Sequence, residues 1–130
     1  MDVYPDHEAM RSWLDSRLNG PTRVGLPWVV LMGFTRIASN PRVFSNALPF
    51  EEALRRIGEW LAVPTVWTPG PTDRHHDVLA RLAAAGGATY RLTTDLHLAA
   101  LSLEHGLVVL SDDRDFARFA GVRWERPLAS

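Results

Sequence analysis

The chain has 130 residues, 46% apolar and 22% charged, with no cysteine and a formal net charge of −1. That length suits a single domain around one hydrophobic core, and the missing cysteines exclude disulfides and thiolate metal sites. All 14 basic residues are arginines, so chemistries that need a lysine are excluded, while a side chain suited to phosphate and RNA is plentiful.

Met1 to Asp6 lacks the basic and apolar regions of a signal peptide. No apolar run approaches the roughly 20 residues of a membrane span, so a cytoplasmic protein without membrane contact is expected. A first helix is expected from Asp6 through Trp13-Leu14, entered at Pro5 and closed near Asn19-Gly20-Pro21. Thr22 to Gly25 reads as a short strand. An apolar helix from Trp28 to Ala38 follows, broken by Asn40-Pro41. Pro49-Phe50-Glu51-Glu52 starts another, with Ala53, Leu54, Ile57, Trp60 and Leu61 at helical spacing. Thr65-Val66-Trp67 is a β-branched and aromatic strand. A helix from about Thr72 to Ala85 is closed by Gly86-Gly87.

The last third alternates in the same way. Asp95 opens a helix that ends at His105-Gly106, and Leu107 to Leu110 is a short buried strand. An acidic turn, Ser111-Asp112-Asp113-Arg114-Asp115-Phe116, leads to a final strand near Val122-Arg123-Trp124. Helices alternating with short buried strands indicate an α/β domain with a parallel sheet. Trp13, Trp28, Trp60 and Trp67 are expected in the core.

Asp112, Asp113 and Asp115 therefore sit at the carboxyl end of a strand, where open α/β sheets bind their ligands. Gathered carboxylates repel one another and need a counter-charge, most simply a hard divalent cation. That points to metal-assisted phosphoryl chemistry with Asp95 and Asp113 as ligands and Asp115 beside them. The competing roles are helix caps: Asp95 as an N-cap, and one of Asp113 and Asp115 capping a short helix at Phe116 to Phe119. Asp112 is expected to face solvent. Arg36 either offsets the acidic pocket and holds a phosphate or belongs to a solvated helix face. His75-His76 does not read as a metal site, since adjacent helical residues point in different directions; a surface helix start is expected, with an RNA or partner contact from Arg74 or His75 as the alternative.

Several of these segments together resemble a known family. Asp95-Leu96-His97-Leu98-Ala99-Ala100-Leu101 with His105-Gly106, and Leu110-Ser111-Asp112-Asp113-Arg114-Asp115-Phe116, look like the C-terminal half of PIN-domain ribonucleases, more narrowly VapC toxins. Leu26-Pro27-Trp28 running to Gly33-Phe34-Thr35-Arg36, Asn40-Pro41-Arg42-Val43-Phe44, Pro69-Gly70 and Arg74-His75 extend the likeness over nearly the whole chain. The resemblance implies a single PIN-like domain over residues 1–130: three layers, with a central, mostly parallel sheet flanked by helices. It implies the toxin of a type II toxin–antitoxin pair, a Mg²⁺- or Mn²⁺-dependent endoribonuclease acting on RNA. Asp95, Asp113 and Asp115 would be the catalytic carboxylates, and Arg36 a substrate-binding residue. The implied partners are a cognate antitoxin and a second copy, and the helices from Trp28 to Ala38 and Phe50 to Leu61 are expected to offer them an apolar groove.

Two departures from the family pattern stand out. Gly33 occupies the glutamate position ahead of Arg36, and the opening strand with its first aspartate is missing. They raise the alternative of a degenerate PIN domain that binds RNA or antitoxin without cleavage. They also suggest that Met1 is an internal start and that the native product is longer. A phosphoacceptor receiver domain, the third possibility, lacks the lysine that such sites use.

Overall fold

The computed structural model describes residues 22–86, 88–111 and 113–126. The expected first helix, Trp13 and Asp112 lie outside the described residues. Two compact units divide the chain between Thr68 and Pro69, and each has its own core.

In the first unit, β1 (Val24–Gly25) pairs in parallel with β2 (Val66–Trp67), Val24 opposite Val66. The ladder continues through Val24 N–H to Thr65 O at 2.9 Å and Leu26 N–H to Trp67 O at 2.8 Å. Between the strands run α1 (Trp28–Ala38) and α2 (Phe50–Leu61), the helical crossover that a parallel pair requires. α1 buries Leu31, Phe34, Thr35 and Ala38, one stripe at helical spacing, and α2 answers with Ala53, Ile57 and Trp60. Phe34 and Trp60 meet edge to face, centroids 4.6 Å apart, and each such large buried side chain contributes roughly 1.5–3 kcal/mol. The Thr35 hydroxyl is satisfied by donating to Leu31 O at 3.1 Å. α1 stops where expected: Asn40 Oδ1 accepts from Arg42 N–H at 2.9 Å, a turn that takes the chain out of the helix.

The expected tryptophan core is only partly right. Trp60 is buried, and Trp67 is half-covered with the Arg23 guanidinium 5.0 Å over its ring. Trp28 is 54% exposed. It shares the stripe of Leu31, Thr35 and Ala38 but is the first helical residue, and helical side chains lean toward the N-terminus, so it overhangs the core's edge.

In the second unit, α3 (His75–Ala84) and α4 (Thr93–His105) pack together, with a single 3₁₀ turn, Tyr90–Leu92, leading into α4. β3 (Val109–Leu110) pairs in parallel with β4 (Trp124–Glu125) across a connection that holds a 3₁₀ turn, Arg114–Arg118. Val78, Leu82, Leu92, Ala99, Ala100, Phe116 and Phe119 form the core. Ala99, Ala100, Leu101 and Ser102 are buried consecutively, so α4 is enclosed on all sides at its middle. It ends at Gly106, whose φ of 67° suits a residue without Cβ, and Leu107 N–H closes back on Ser102 O at 2.8 Å. The result is a helix-rich α/β architecture with parallel strands.

Candidate active site

Asp95 is the third residue of α4, not its cap; Leu92 occupies the N-cap position and makes no side-chain capping bond. Asp113 follows β3 and does cap the next turn: its Oδ1 accepts from Asp115 N–H at 2.9 Å, and its own N–H donates to Ser111 Oγ at 3.0 Å. The capping role and the cluster role therefore fall on the same residue. One carboxylate oxygen each from Asp95, Asp113 and Asp115 lies within 4.8 Å of the others. A helix start and a strand end from the same core bring them together.

Their electrostatics are unequal. Burial, and then the negative charge of Asp113, push Asp95 above the usual carboxylate range. Burial also opposes ionisation of Asp113, but it lies below that range, and the Asp115 amide that donates to it is the strongest cause of the lowering. Of the two, Asp95 is therefore the carboxylate more costly to ionise. Asp115 is half-exposed and lies 3.5 Å from Arg118 Nε. An all-oxygen set with crowded negative charge fits a hard divalent ion such as Mg²⁺ or Mn²⁺, whose charge would offset the repulsion among the carboxylates.

Around the carboxylates, Thr89, Tyr90, Arg91, Leu92 and Arg118 complete the lining of an open pocket. None of the five was singled out from sequence. The signal for Arg118 was available, three residues after Asp115 on a short turn; Tyr90-Arg91 becomes visible only when the turn ahead of α4 is known. Arg36 is exposed in the last turn of α1, in the first unit, and Gly33 lies in the middle of the same helix.

The helix starts at His75 as expected, but that side chain does not face solvent. His76 is exposed, but His75 turns inward: Nδ1 contacts Glu104 Oε2, and Nε2 lies 3.0 Å from His97 Nδ1. The Glu104 side chain is only 1% exposed. Its other oxygen accepts from the Thr72 hydroxyl at 2.6 Å and the Thr72 amide at 2.9 Å. Burial disfavours the ionised form, yet bonds from Thr72 and His75 outweigh it and hold Glu104 below its usual range, while burial and then His75 depress His97. The chain of bonds ties α3 to the helix that carries Asp95.

Because Glu104 is depressed in the folded state, its stabilisation is present above the unfolded value near 4.5 and is lost as pH falls through the folded value. His75→Ala should therefore cost roughly 1–3 kcal/mol at neutral pH by leaving a buried acceptor short of a donor. The gap to wild type should narrow in acid, as urea unfolding across pH will report. A gap that widens in acid would contradict this account.

The chain matches the PIN domain family over residues 3–122. It is 44% identical over 123 residues to Ribonuclease VapC37 of Mycobacterium tuberculosis, covering 95% of this chain and 85% of that protein. Ribonuclease VapC33 of the same species is 41% identical over 127 residues, with 96% and 87% covered. VapC ribonuclease Mb2897 of Mycobacterium bovis is 37% identical over 123 residues, with 95% and 84% covered.

Proposed function

The chain belongs to the PIN-domain family, and on that premise we propose that it is a VapC-type toxin, an endoribonuclease that cleaves RNA phosphodiester bonds with a divalent cation. The observation that carries the reading is the convergence of Asp95, Asp113 and Asp115 within 4.8 Å. Their relatives are named ribonucleases, so the non-cleaving alternative is not favoured.

Asp95 and Asp113 are the ligands we assign to Mg²⁺ or Mn²⁺, with Asp115 completing the set. When bound, such an ion polarises a scissile phosphate and supplies an acidic water. The protein's part is to hold the carboxylates in place. Asp113 is fixed as an acceptor by the Asp115 amide, and Asp95 stands beside it on the first turn of α4. Arg118 restrains Asp115 and adds positive charge beside the phosphate path. Arg36 remains a second candidate for phosphate contact, exposed on α1. Cleavage of RNA with added Mg²⁺ or Mn²⁺, abolished by chelation, tests the reading; no cleavage by intact protein with either ion would overturn it.

We assign both units to one PIN-like domain because the family match runs through both. A cognate antitoxin and a second copy are the partners we assign to the apolar face of the first unit, where Trp28, Val29 and Met32 of α1 and Phe50 and Leu54 of α2 are exposed. An antitoxin that failed to co-purify with the chain would remove that part of the reading. Among the described residues no helix is long and apolar enough to cross a membrane, and an enzyme acting on cellular RNA belongs in the cytoplasm.

A further inference from the structure

We propose that Tyr90 and Arg91 form a stacking platform for an unpaired base of the RNA, at a nucleotide flanking the phosphate that the carboxylate pocket receives. The inference deepens the ribonuclease reading and rests on it for the identity of the ligand.

Tyr90 is 82% exposed, the most exposed large hydrophobic side chain among the described residues, and it lines the same pocket as Asp95, Asp113 and Asp115. It is nevertheless held in place. The Arg91 guanidinium carbon sits 5.7 Å from the ring centroid, and Arg91 Nε donates to the Tyr90 hydroxyl at 3.2 Å. The Tyr90 carbonyl accepts from Thr93 Oγ1 at 2.7 Å, and Leu92, two residues on, is buried in the core. The turn Tyr90–Leu92 runs without a break into α4, so the aromatic ring and the Asp95 carboxylate share one rigid segment.

The electrostatics of the pocket give the ring its role. Without a cation, three carboxylates face only two arginines, Arg91 and Arg118, so the metal-free pocket does not by itself attract a polyanion. Affinity for RNA must come in part from contacts that do not depend on charge, and base-on-aromatic stacking is such a contact. A phenol ring with a guanidinium plane beside it suits the splayed base of a single strand and not a paired one. The platform therefore selects unpaired RNA and sets the register of the strand against the carboxylates.

The test uses a single-stranded oligoribonucleotide carrying 2-aminopurine, whose fluorescence is quenched by stacking. Binding is followed in EDTA and cleavage in Mg²⁺, for wild type, Tyr90→Ala and Tyr90→Phe. Wild type and Tyr90→Phe should quench; Tyr90→Ala should not, and its KM should rise about tenfold with kcat little changed, the loss of one stacked base. Quenching without cleavage in the wild type would sink the ribonuclease reading and leave the platform standing. Absent quenching in the wild type, or an unchanged KM in Tyr90→Ala, would overturn the platform whatever the cleavage assay shows. A Tyr90→Phe variant as impaired as Tyr90→Ala would overturn it too, by assigning the effect to the hydroxyl.

Discussion

Asp95→Asn should cut RNA cleavage by orders of magnitude and, in the same preparation, raise the melting temperature of the metal-free protein. The two effects have one cause. Asp95 is partly buried beside Asp113 and is pushed above the usual carboxylate range by burial and then by that neighbour's negative charge. Ionising Asp95 beside Asp113 therefore works against the fold of the metal-free protein. An asparagine amide supplies a permanent N–H toward Asp113 and removes a like charge. We expect a gain of a few degrees in Tm, the scale of about 1 kcal/mol in a domain of this size. Cleavage should fall by roughly 10²–10³-fold or more, the usual result of removing one group that stabilises developing charge. The stabilisation by Mn²⁺ expected of wild type should vanish. A variant that is less stable than wild type without metal would show that the Asp95 carboxylate supports the fold and is not held under charge repulsion.

Phe116→Ala is expected to have the largest effect on stability, and to carry the site with it. Phe116 is 2% exposed, packs edge to face with Phe119 at 6.3 Å, and belongs to the core built with Val78, Leu82, Leu92, Ala99 and Ala100. Truncation should cost about 3–5 kcal/mol, a large share of the roughly 5–15 kcal/mol that folded domains possess. Phe116 directly follows Asp115 in the turn Arg114–Arg118 that Asp113 caps. Losing its anchor should loosen both carboxylates and weaken cation binding even where the protein remains folded. Phe116→Leu, which keeps most of the volume, should lose far less of either. Urea unfolding and Mn²⁺ affinity measured on both variants separate the outcomes: full-strength Mn²⁺ binding by folded Phe116→Ala would break the link between core and site.

Much of the site could be read before the fold was known, because its signals are local. A helix opening near Asp95 and a buried strand ending before Asp113 are periodic patterns. Once both belong to one parallel α/β arrangement, the carboxylates converge. The helices α1, α2 and α4 were legible for the same reason, with breakers at Asn40-Pro41 and Gly106 marking their ends. Non-local facts were not legible. His75 looked like a surface residue because nothing near it in sequence announces a partner; Glu104 and His97 reach it from another helix. Their spacing of seven on α4 places both on one face, but which helix that face meets is a matter of packing. Trp28 was misjudged by treating every position on an apolar stripe as equal, when the first residue of a helix overhangs its end.

Titrating Mn²⁺ into the protein while following paramagnetic broadening by NMR tests the central assignment most directly, because it locates the ion without depending on activity. The account predicts that resonances of Asp95, Asp113 and Asp115 disappear first, with those of Thr89 to Leu92 and Arg118 next, and that Mg²⁺ competes the effect away. Broadening centred on His75, His97 and Glu104, or spread evenly over the acidic surface, would contradict it.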